Sequence, residues 1–189
     1  MSKAVFALVA LVALVVGGFF WLNSSPYQEK QGKSAGEDSY KDLTYMIEGK
    51  PVQLRDGYAE ENPPVGGALG SASKTITRYF GNEAVGDIDG DGVADVAFLL
   101  TQEGGGSGTF FYAAAALRKG DGYLSVDATI VGDRVAPQTT EIRDGLVIVN
   151  YAERKAGEPM TARPSMGKSL YLKLDPKTMQ FGEVVHQGR

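Results

Sequence analysis

The sequence has no cysteine and only one histidine, His186, three residues from its C-terminus. Without cysteine the chain has no disulfide, no thiolate ligand for zinc and no cysteine nucleophile. It also lacks the lipid-bearing cysteine of a bacterial lipoprotein. A Ser-His-Asp triad or a histidine-rich metal site would have to use that single terminal residue. Chemistry based on carboxylates is therefore the main kind left open.

The sequence also has no excess of positive charge. It contains 19 Lys and Arg against 23 Asp and Glu, which gives a net charge of -4. A mildly acidic chain has no basic footprint for nucleic acid and gains nothing electrostatically from anionic lipid. We therefore expect no nucleic-acid partner. The length of 189 residues suits one domain with appendages.

Residues Ala4 to Leu22 form an uncharged run of 19 residues. As a helix it would be ~28 Å long, close to the ~30 Å hydrocarbon core of a bilayer. Lys3 precedes it, and Trp21 lies at its far end, where indole favours the headgroup level. Because the run is long and ends in bulky residues, it predicts an uncleaved transmembrane signal-anchor at 4–22, with 1–3 in the cytoplasm. A cleaved, secreted form is the alternative.

Residues 23–41 are polar and rich in Ser and Gly, which is typical of a flexible linker. The linker would connect the anchor to a folded domain at 42–189. These features predict a single-pass protein of the cell membrane whose C-terminal domain lies in the periplasm or the extracellular space. Its first partner is thus the membrane, through the N-terminal helix.

Short apolar runs separated by Gly, Asp and Pro turns indicate a mainly β domain. We predict an antiparallel meander that forms a sandwich or a partly open barrel after the one N-terminal transmembrane helix. The predicted strands are Leu43–Ile47, Val52–Arg55, Lys74–Phe80, Val93–Thr101, Thr109–Leu117, Tyr123–Val131, Leu146–Tyr151, Ser169–Leu174 and Phe181–His186.

Three segments are predicted to be loops: Glu60–Ser73, Gln138–Asp144 and Ala156–Lys168. Long loops are often binding surfaces, and as often tolerated insertions. Ala113–Leu117 has a second interpretation as the start of a helix, because consecutive alanines are poor strand formers.

The strongest local motif is DIDGDGVAD, at residues 87–95. Its acidic residues occupy positions 1, 3, 5 and 9 of a calcium-binding loop, a glycine occupies position 6, and the carbonyl of position 7 can add an oxygen. The candidate ligands of Ca²⁺ are therefore Asp87, Asp89, Asp91, Val93 and Asp95. An acidic, hydrated turn without an ion is the alternative.

The motif departs from an EF-hand, because Phe98 stands where an EF-hand has its bidentate glutamate. Residues 87–95 more closely resemble the calcium turns of FG-GAP and integrin-type propeller repeats, in which Asp95 would close the site. The motif occurs once, whereas a propeller needs several blades. Without the position 12 ligand, the expected affinity for calcium is weak, roughly 10⁻⁴ to 10⁻³ M.

Two other motifs favour structural roles. The segment Gly104–Thr109 is rich in glycine but lacks the Gly-Lys-Ser/Thr ending of a P-loop, so we interpret it as a hairpin connection. Ser107 within it lies outside the G-x-S-x-G context of a hydrolase nucleophile. Asp133 and Arg134 form an opposite pair beside Gly132 and predict a turn with a local ion pair.

The stretch from Leu43 to His186 resembles a family of uncharacterised bacterial envelope proteins. The resemblance is carried by EGKPVQL, SASKTITRYFGNE, GDIDGDGVADVAFLL, GGSGTFFYAAAAL, GDRVAPQTTEI and LDPKTMQFGEV. It implies an envelope location and the character of the fold, and no particular reaction.

Three hypotheses of function follow. The first is a non-enzymatic binding or structural module, stapled by calcium, that presents its loops to an envelope protein or a glycan. The second is a hydrolase that uses two carboxylates, as glycosidases do, chosen from Asp87, Asp89, Asp91, Asp95 and Glu103. The third is an accessory subunit of an envelope complex.

Overall fold

Eleven β-strands and one 3-10 helix make up the secondary structure of residues 39–62 and 73–185, the part of the chain that the computed structural model describes. The prediction of a mainly β domain is confirmed. After the 3-10 helix Ser39–Asp42, the strands are β1 Thr44–Ile47, β2 Lys50–Gln53, β3 Tyr58–Glu61, β4 Thr75–Gly86, β5 Asp95–Glu103, β6 Thr109–Lys119, β7 Gly122–Asp133, β8 Ala136–Arg143, β9 Leu146–Glu153, β10 Met166–Asp175 and β11 Gln180–Glu183.

The larger sheet has seven strands in the order β2-β1-β7-β6-β5-β4-β3. Strands β4 to β7 are consecutive antiparallel neighbours and form the predicted meander. The meander prediction does not extend to β1, which pairs with β7 in parallel through Ile47 and Ala128. The edge strands β2 and β3 are joined by the short segment 54–57, and the sheet is nearly closed on itself.

The smaller sheet has four antiparallel strands in the order β11-β10-β9-β8. It meets the larger sheet along two seams. At one seam the N–H of Asp127 in β7 donates to the carbonyl of Met179, next to β11 (2.9 Å). At the other seam Gly86 of β4 lies so close to Ile142 of β8 that a Cβ at position 86 would come within 2.9 Å of Ile142 Cγ2.

Strands β5 and β6 are buried on both faces, because successive side chains of a strand point to opposite sides. Leu99 and Ala113 belong to a core shared with the smaller sheet. Phe98 and Tyr112 belong to a second core, with Tyr45 and other residues of β1 and β2. The small side chains of residues 113–116 fit between these two layers, so the alternative of a helix there is excluded.

The prediction that Gln138–Asp144 is a loop is wrong, because β8 spans Ala136–Arg143. The sequence of β8 resembles that of a loop because one face of this edge strand is polar. Glu141 on that face accepts a hydrogen bond from the Asn150 amide of β9 (3.0 Å). Thr140 is buried, and Ile142 packs against the shared core, so two inward residues are enough to hold the strand.

The 3-10 helix occupies residues that the sequence pattern assigned to the end of the linker. Its Tyr40 is 4% exposed and donates a hydrogen bond to Glu83 Oε1 (2.5 Å). Residues 39–62 and 73–185 include no helix that is both long and apolar enough to cross a bilayer. The predicted transmembrane segment 4–22, most of the linker and His186 lie outside the described residues.

Candidate metal centre at the turn between β4 and β5

The candidate site is the turn that connects β4, which ends at Gly86, with β5, which begins at Asp95. Gly90 and Gly92 both have a φ of 81°. This left-handed conformation strains residues that have a Cβ and is open to glycine. The two glycines therefore let the chain turn sharply within the motif, which brings three of its acidic side chains together.

Three of the predicted ligands converge. Carboxylate oxygens of Asp87, Asp89 and Asp95 all lie within 4.8 Å of one another. Asp87 also holds the turn from within, since its two oxygens accept hydrogen bonds from the N–H groups of Gly90 (2.7 Å) and Gly92 (2.9 Å). Such a cluster of hard oxygen ligands suits a cation of the calcium type.

Asp95 is fully buried, with an exposed fraction of 0%. One of its oxygens accepts a hydrogen bond from the N–H of Ile88 (2.8 Å), and the other accepts from the N–H of Arg118 in β6 (2.8 Å). Burial raises the pKa of Asp95, although these two backbone donors oppose the effect. Asp95 therefore ties the turn to β6 independently of any ion.

Asp91, the fourth predicted carboxylate, lies outside the convergent group of three. It is bound instead to Lys119, whose Nζ lies 2.5 Å from Asp91 Oδ2 and 2.6 Å from Asp89 Oδ2. The bond from Lys119 holds the pKa of Asp91 below its usual range. The hydrogen bond from Lys119 to Asp89, and next the one to Asp91, raises the pKa of Lys119. An internal ammonium group thus already neutralises part of the acidic cluster.

Val93, the predicted carbonyl ligand, lies at the end of the turn. Its N–H donates to Asp91 Oδ1 (2.8 Å), and its side chain is exposed. Sequence reasoning missed Lys119 entirely, because this residue follows the motif by 24 positions. Only the pairing of β5 with β6 brings the end of β6 beside the turn.

No match to this chain is found among protein-family models, curated proteins or solved structures.

Glu103, the fifth carboxylate considered for a hydrolase, is not near the other four. It lies at the opposite end of β5 from Asp95, and eight residue steps along a strand span ~26 Å. There it pairs with Arg78 of β4 (3.1 Å) and accepts a hydrogen bond from the Thr109 hydroxyl (3.3 Å). Glu103 and the acidic turn thus belong to different ends of the sheet.

The two remaining motifs have the structural roles that the sequence predicts. Residues 104–108 connect β5 with β6 as a hairpin. Asp133 and Arg134 form an ion pair (2.6 Å), which lowers the pKa of Asp133. Asp133 also accepts a hydrogen bond from the N–H of Thr109 (3.2 Å), so the pair stabilises the neighbouring hairpin end.

Proposed function

We propose that this chain is a membrane-anchored extracytoplasmic binding or structural module whose turn at 87–95 binds Ca²⁺. In this proposal the domain is a sandwich or a partly open barrel that follows one transmembrane helix at 4–22. The observation that carries the calcium site is the convergence of Asp87, Asp89 and Asp95 within 4.8 Å. The membrane location rests on the uncharged run at the start of the sequence.

The ion would be bound weakly. Both oxygens of Asp95 already accept backbone N–H bonds, and Asp89 is shared with Lys119. A Ca²⁺ site usually has six to eight oxygen ligands, so this one would need water and backbone oxygens to complete its shell. Affinity in the millimolar range suits a structural site that binds calcium outside the cell, where calcium is plentiful, and does not suit a calcium sensor.

A binding or structural role is favoured over a hydrolase because the candidate carboxylates divide into two groups with separate tasks. The carboxylates of the turn accept hydrogen bonds from backbone N–H groups and from Lys119, whereas Glu103 pairs with Arg78 at the far end of β5. The partner would be an envelope protein or a glycan that reaches the domain beyond the linker.

The calcium proposal is tested by thermal unfolding of the full-length chain in detergent, in EGTA and then in increasing CaCl₂. Saturation at about ten times Kd should raise Tm by about 3 to 6 °C. The double variant Asp87→Asn, Asp89→Asn should lose the shift. The control Asp121→Asn changes an exposed carboxylate in the turn between β6 and β7 and should keep it. An unchanged Tm of the wild type at about 10 mM calcium would contradict the proposal.

The location is tested separately by cell fractionation and protease treatment of intact spheroplasts. The chain should sediment with membranes, and external protease should remove the domain while leaving the anchor. Recovery of the intact chain from the soluble cell interior would refute the anchor. Capture of partners from membranes with the anchor intact would then distinguish a free module from a subunit of a complex.

A further inference from the structure

We draw no further inference here: the strongest candidate, the surface patch on strands β3 and β4 formed by the exposed aromatic side chains of Tyr58 and Phe80, carries none because nothing in the described part of the structure shows what covers it.

Discussion

The ammonium group of Lys119 lies 2.6 Å from a carboxylate oxygen of Asp89, one of the three groups that converge at the candidate calcium site. Lys119 also reaches Asp91. The carboxylate of Asp89 cannot neutralise both the Lys119 ammonium group and a divalent ion in full. Lys119 thus competes with the proposed ion for Asp89. Replacing Lys119 separates the role of Asp89 as an ion-pair partner from its role as a calcium ligand.

Replacement of Lys119 by methionine should strengthen calcium binding by the full-length chain severalfold, because Asp89 and Asp91 become free to face the ion. In EGTA the same variant should be slightly less stable than the wild type, with a Tm lower by no more than about 3 °C, as is usual for exposed ion pairs. The measurement is the calcium concentration at the midpoint of the Tm shift, with Lys50→Met as control. A weaker response to calcium in Lys119→Met would show that the lysine assists the site.

The pH dependence of the Lys119 pair follows from its pKa shifts. The pKa of Asp91 is lowered, so the stabilisation is present above the usual pKa of Asp, about 3.9, and is lost as pH falls through the lowered value. The pKa of Lys119 is raised, so the stabilisation persists up to at least the usual pKa of Lys, about 10.4. The Tm difference between wild type and Lys119→Met in EGTA should be constant from about pH 5 to 9 and shrink below about pH 4. A difference that grows in acid would contradict the pairing.

Asp95→Ala should be strongly destabilising even without calcium. It leaves the N–H groups of Ile88 and Arg118 without their acceptor, and a buried unsatisfied donor costs about 1 to 3 kcal/mol. We expect a loss of about 2 to 5 kcal/mol in urea unfolding in EGTA, against a change within about 0.5 kcal/mol for the exposed control Asp121→Ala. A loss for Asp95→Ala that appears only in the presence of calcium would assign Asp95 to the ion alone.

Local patterns predicted most of this fold, and long-range pairing accounts for what they missed. The strands around β5 and β6 follow from apolar runs bounded by turn residues, and the convergent turn follows from the placement of its carboxylates and glycines within a few residues. Lys119 was not predictable, because it reaches Asp89 only through the register of β5 with β6. Strand β8 was missed because its outward face is as polar as a loop, and its pairing with β9 is what makes it a strand.

Thr140 has a buried hydroxyl group with no hydrogen-bond partner in the described structure. Thr140→Val removes this group while keeping the shape, so it should raise the free energy of unfolding by about 0.5 to 2 kcal/mol. Thr77→Val is the matched control, since the Thr77 hydroxyl accepts a bond from the Gln102 amide (3.2 Å); it should cost about 1 kcal/mol. Urea unfolding of both variants is the measurement, and destabilisation by Thr140→Val would reveal an unseen partner.

Gly86→Ala should weaken the seam between β4 and β8. The new Cβ would lie 2.9 Å from Ile142 Cγ2 and 3.0 Å from Ile142 Cβ, too close for carbon atoms, and such overpacking costs about 1 to 3 kcal/mol. Gly167→Ala is the control, because nothing lies within 4 Å of its added Cβ, and it should be neutral or stabilising by up to about 1 kcal/mol. Equal urea midpoints for the two variants would mean that β4 and β8 can move apart at little cost in free energy, and would contradict the prediction.

The doubly buried strand β6 leaves the domain no tolerance for a slip in its alignment. Phe111 faces one core and Tyr112 the other, so deletion of one residue ahead of them would exchange the two sets of side chains. Ala113 would then stand in the buried space of Tyr112 and leave a cavity, and Leu117 would stand in the buried space of Ala116 and overfill it. Strand β6 thus contributes side chains to both cores, so a change in its alignment that alters the packing of one core also alters the packing of the other.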